Sequence, residues 1–224
     1  QGEKMSKRNG AKPVTQYAQE GFLPDAMVNY LARLGWSHGD DELFSREQLV
    51  GWFDGQHLAR SAAQWDAAKL GWVNAQYLRA LDEAELERLV RAQLERLGVA
   101  GVDEQLPAIC ALFKDRCDTT VALADWAQRF YADVSASQDE RAKHLTPQAL
   151  AAVQTLATRL VSCAWDAPAI AAVIKDVLAE HGLKMPQLAM PVRVLVMGTA
   201  QTPSLDAVLA LCTREVVLQR LQRG

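Results

Sequence analysis

TPQALAAVQTLATRLVSCAWDAPAIAAVIKDVLAEHG, residues 146–182, holds two helix starts, two apolar stripes and one stop. Thr146 precedes Pro147 and Asp166 precedes Pro168, so each start joins a capping side chain to a proline in the first turn, where its missing N–H costs nothing. Leu150, Val153, Leu156 and Leu160 then recur at three- and four-residue spacing, as do Ile170, Val173, Ile174 and Val177. Each run therefore presents one apolar face when wound at 3.6 residues per turn. Gly182 ends the second. The segment reads as two amphipathic helices in tandem.

The same signals extend outward. Pro24 opens Met27, Val28, Leu31 and Leu34, up to Gly35. Ser45 with Gln48 forms a capping box ahead of Leu49, Trp52 and Phe53. Asp82 with Glu85 forms a second capping box, opening Leu86, Leu89, Val90, Leu94 and Leu97 before Gly98, and Glu87 and Arg91 are spaced as an ion pair on its solvated face. The predicted class is mostly α, with little or no sheet. Pro191–Gly198, PVRVLVMG, is the exception: its valines favour a strand, but with no partner strand nearby a short helix is equally open.

Half of the 224 residues are apolar and 23% are charged, which excludes a largely disordered chain. No apolar run approaches the ~20 residues of a membrane span, and no apolar leader is evident. Cys110, Cys117, Cys163 and Cys212 form no CxxC pair and no cluster with histidine, so no metal is expected and a reduced, cytoplasmic chain is the economical reading. The net charge of −3 does not advertise nucleic acid, yet charge is segregated. Lys4, Lys7, Arg8 and Lys12 face Glu3 alone, and Arg193, Arg214, Arg220 and Arg223 outnumber Asp206 and Glu215. Aromatics crowd the chain before residue 80 (Trp36, Phe44, Trp52, Phe53, Trp65, Trp72, Tyr77), and a softer polar break lies at Ser135–Lys143.

Residues 2–10, GEKMSKRNG, set Lys4, Lys7 and Arg8 around Ser6 between glycines. Three cations within five residues can gather around a polyphosphate, and Ser6 can donate to a phosphate oxygen. A solvated basic loop is the bland alternative. Lys4-Met5-Ser6-Lys7-Arg8, however, resembles the KMSKS signature of class I aminoacyl-tRNA synthetases. The stretch Asn9–Ser45, with its Gly21-Phe22-Leu23-Pro24 turn and its helix ending Leu34-Gly35-Trp36, is similar to the segment that follows the signature in glutamate–tRNA ligases. Trp65-Asp66, Lys69-Leu70, Trp72 and Asn74 resemble that family's next block. Pro191-Val192-Arg193 through Gly198, with Thr202-Pro203-Ser204-Leu205, resembles its closing anticodon-reading element. Departures are few: Trp65 stands where Phe is commoner, and Ser204 and Thr213 where Gly is common.

The resemblance implies an enzyme that activates glutamate with ATP and magnesium and passes it to the 3′ end of tRNA(Glu). In it Lys7 is the catalytic residue, and Lys4, Met5, Ser6, Lys7 and Arg8 bind ATP. No HIGH-type motif or GxGxxG stands in this sequence, so the chain is expected to be the C-terminal half, inactive alone and with no cofactor of its own. The implied division is 1–10 as the end of the catalytic domain, 11–80 as a stem-contact region, and 81–224 as an all-helical anticodon-binding domain with subdomains at about 81–140 and 141–224. Anticodon contacts are expected at Arg116, Arg193, Ala200, Thr202, Pro203 and Leu205, with Arg116 selecting the first base and arguing for an enzyme specific to the glutamate tRNA. Trp36, Trp52, Trp65 and Trp72 are expected in packing. A monomer without membrane contact is expected. The alternatives are a freestanding helical RNA-binding or scaffolding protein and a helical protein-interaction module.

Overall fold

The computed structural model describes residues 12–60 and 63–223. Thirteen α-helices and no sheet are found among the described residues; an isolated bridge joins Trp36 and Leu58. The chain divides into two compact units, one of residues up to Gly98 with Cys110–Trp126, the other of Val99–Ile109 with the residues from Ala127 onward.

In the first unit, α1 (Val14–Gln19), α2 (Pro24–Gly35), α3 (Arg46–Trp52), α4 (Ala67–Ala80) and α5 (Glu83–Arg96) follow in order. The start signals operate as read. Pro24 begins α2, Ser45 and Gln48 make the reciprocal capping box of α3, and Asp82 accepts the Glu85 N–H at the head of α5. The Glu85 carboxylate binds Arg88 instead of closing a box, and Glu87 pairs with Arg91 at 2.7 Å. The buried face of α2 is rotated from the expected stripe: Leu31 is largely exposed, while Ala26, Met27, Asn29 and Tyr30 are buried.

Two asparagines explain that rotation. Asn29 accepts the Phe44 N–H (3.0 Å) and the Tyr77 hydroxyl (2.8 Å) and donates to the Glu42 carbonyl (2.9 Å). Asn74 on α4 accepts the Leu23 N–H (2.8 Å) and donates to the Asp118 carbonyl (2.6 Å), joining the turn before α2 to the segment before α7 (Thr120–Gln128). A buried amide is tolerated only when its donors and acceptor are matched in this way. The tryptophans divide. Trp36 is buried and meets Phe44 edge-on; Trp65 packs against Tyr17 and Tyr30; Trp52 stacks on His38 with ring centroids 4.1 Å apart. Trp72 departs from the packing role: it is 41% exposed and carries the Lys69 ammonium over its ring at 4.2 Å.

In the second unit, α8 (Gln138–His144), α9 (Pro147–Leu160), α10 (Ala167–His181), α11 (Met185–Met197), α12 (Leu205–Leu211) and α13 (Arg214–Leu221) surround one core. Thr146 and Asp166 cap α9 and α10 through the N–H groups of Ala149 and Ala169, with proline in each first turn. The stretch left open, Pro191–Gly198, is helical: it forms the second half of α11 and its left-handed terminus at Gly198. This helix packs against α8, α9 and α13, so Leu188, Ala189, Pro191, Val192, Val194, Leu195, Val196 and Met197 are all buried. A helix covered on several sides loses its polar face, and its sequence then reads like a strand.

Candidate nucleic-acid interface

The turn between α11 and α12 gathers most of the expected anticodon residues. Gly198 ends α11 at φ +73°, and the chain passes through Thr199–Ser204 before α12 begins at Leu205. Arg193, about one turn from the end of α11, reaches forward so that its Nη2 donates to the Pro203 carbonyl at 3.1 Å. The Thr202 hydroxyl donates to the same oxygen at 2.9 Å. Arg193, Ala200, Thr202, Pro203 and Leu205 are thus brought together in one structure. Their surfaces differ: Ala200, Thr202 and Leu205 are 6%, 7% and 4% exposed, Arg193 and Pro203 are half-buried, and Gln201 stands out at the tip.

Polar contacts fix the root of the turn. Arg129 donates to the Met197 carbonyl (2.8 Å). Arg220 donates to the carbonyls of Val196 (2.6 Å), Arg129 (2.6 Å) and Ala132 (2.7 Å). Arg220 is 4% exposed, and burial pulls its pKa down from the usual arginine value; three backbone carbonyls accept from its guanidinium and help hold the charge there. The carbonyls at a helix C-terminus are the ones left without intrahelical donors, so these arginines complete α11.

Glu140 is a residue that the sequence reading passed over. Its Oε1 accepts the Ala200 N–H at 3.0 Å and the Thr199 hydroxyl at 3.4 Å. Ser137–Glu140 has the spacing of a helix cap, which is the signal that identifies α8 inside a stretch read as a polar break. Arg116 is exposed at the end of a 3-10 turn, Lys114–Arg116, and belongs to the first unit. Lys4, Met5, Ser6, Lys7 and Arg8 fall outside the described residues.

The remaining reactive groups are quiet. Burial pushes the Cys110, Cys117 and Cys212 thiols up to about 12, which leaves them protonated at neutral pH and poor nucleophiles. Among the described residues no group of three or more His, Cys, Asp or Glu is placed to hold a metal ion, and no helix is long and apolar enough to cross a membrane.

Residues 72–224 match the model of an anticodon binding domain, and residues 1–72 match that of the catalytic domain of class I tRNA synthetases of the E and Q type. The glutamate–tRNA ligase of Albidiferax ferrireducens is 64% identical over 222 residues, covering 99% of this chain and 48% of its own length. That of Paracidovorax citrulli is 63% identical, covering 99% and 47%. The fold matches the crystal structure of a glutamate tRNA ligase from Elizabethkingia meningosepticum with a TM-score of 0.87 at 24% identity, over 99% of this chain and 48% of that one. The chain spans about half the length of the curated relatives it matches. On these matches the chain belongs to the glutamate–tRNA ligase family and carries its anticodon binding domain.

Proposed function

We propose that this chain is the tRNA-gripping half of a glutamate–tRNA ligase and that it reads the anticodon of tRNA(Glu) with Arg193 and the turn from Gly198 to Leu205. The observation that carries this reading is the tie between the half-exposed Arg193 guanidinium and the Pro203 carbonyl, which sets a planar cation beside a polar turn. Unpaired anticodon bases offer flat faces and open edges, and arginine can stack on the first and hydrogen-bond to the second. The Pro203 ring completes the surface, with Ala200, Thr202 and Leu205 serving as its buried support. Arg116 takes the first anticodon base.

In the complete enzyme, Lys7 stabilises the triphosphate of ATP and the departing pyrophosphate, with Lys4, Met5, Ser6 and Arg8 around it and magnesium sharing the charge. The stem-contact role belongs to residues 11–80 and anticodon binding to 81–224. The working protein is a cytoplasmic monomer.

Filter binding of the 224-residue chain to tRNA(Glu), and to the same tRNA with single anticodon substitutions, tests the reading. Each substitution is expected to weaken binding by about tenfold, and Arg193→Ala to remove that difference. Equal binding of every tRNA would favour the freestanding RNA-binding alternative.

A further inference from the structure

The tip of the anticodon turn hangs on a single carboxylate from sixty residues earlier in the chain. Ser137 caps α8 by accepting the Glu140 N–H at 3.2 Å. In a capping box the glutamate side chain turns back to the N-cap amide. Glu140 does not: its Oε1 takes the Ala200 N–H and the Thr199 hydroxyl, and the Thr199 oxygen accepts the Gln201 N–H at 3.4 Å. One oxygen therefore orients three consecutive residues, ending at the exposed Gln201. The root of the turn is fixed separately, by Arg129 and Arg220 on the last carbonyls of α11.

A carboxylate placed near RNA repels phosphate, so raw affinity gives no reason for one at this position. Charge-assisted bonds to N–H and O–H donors are the stronger kind, which suits a post that must hold a turn still. We infer that Glu140 is a positioning residue for anticodon discrimination, holding Thr199–Gln201 in the form that accepts the right bases without meeting a base itself. This rests on the reading of the turn as the anticodon reader.

The test compares the chain with Glu140→Ala, Glu140→Gln and Arg193→Ala, measuring binding of tRNA(Glu) and an anticodon-substituted tRNA, and amide exchange at Ala200. Glu140→Ala is expected to weaken binding of tRNA(Glu) by about tenfold, leave the substituted tRNA nearly unchanged and speed exchange at Ala200. Glu140→Gln, which keeps a carbonyl acceptor, should recover most of the ratio. A ratio lost in Arg193→Ala but kept in Glu140→Ala overturns the positioning role alone, as does unaltered exchange at Ala200. Failure of the unaltered chain to tell the two tRNAs apart overturns the anticodon reading and this role with it.

Discussion

Asn74 gives the family block around it a physical meaning. Its amide is buried in α4, and its bonds to the Leu23 N–H and the Asp118 carbonyl reach 51 and 44 residues away, with a longer one to the Gly21 carbonyl at 3.4 Å. Replacing it with leucine keeps most of the volume but strands a buried donor and a buried acceptor at once. Each orphan costs about 1–3 kcal/mol, so Asn74→Leu should lower unfolding stability in urea by about 3 kcal/mol. A loss below ~1 kcal/mol would mean that water replaces both partners. At this scale the sequence was informative about Asn74 only through resemblance. Nothing local marks an asparagine as a joint between distant segments, and the same holds for Glu140 and Arg220, whose partners are set by tertiary packing.

Five helices, α2, α3, α5, α9 and α10, were legible, each from a start signal ahead of an apolar stripe. The caps at Ser45, Asp82, Thr146 and Asp166 stand where the side chains and spacing put them, because N-cap chemistry is local. Among the helices not read from the sequence, two escaped for opposite reasons: α11 is too buried to show a polar face, and α8 has no buried residue to show an apolar one. The C-termini offer a matched comparison. Gly182 after α10 and Gly198 after α11 both adopt left-handed backbone, at φ +62° and +73°. A Cβ at Gly182 meets nothing within 4 Å, whereas at Gly198 it lies 3.2 Å from the Ser135 carbonyl oxygen. Gly182→Ala should therefore cost only the backbone penalty of about 1 kcal/mol, and Gly198→Ala about 2 kcal/mol, since the Ser135 segment must give way as well. Thermal melts of the two variants check the order. Equal losses would show that this segment yields freely.

For the molecule as a whole, the proposed grip on tRNA raises the question of how a chain of net charge −3 would hold a polyanion. The arginine surplus between residues 193 and 223 suggested a basic surface, but the structure uses most of it internally. Arg214 donates to the Cys163 carbonyl at 2.5 Å and lies over Trp165, Arg220 is buried on three carbonyls, and Arg223 pairs with Asp133 at 2.9 Å. Arg214 and Arg220 complete loops and a helix end, and Arg223 is neutralised at the surface by Asp133, before any of them can meet a phosphate. Binding should then depend on base contacts at the turn more than on a broad phosphate track, and its salt dependence should be shallow. With about 0.7–0.9 counterions released per phosphate, engagement of roughly four phosphates gives a slope of log K against log salt near −3. Raising potassium chloride fourfold from ~50 mM would then weaken binding of tRNA(Glu) by about sixtyfold. A slope steeper than about −7 would require many free cations along the RNA path, and would mean that Arg214 and Arg223 leave their internal partners when the tRNA arrives.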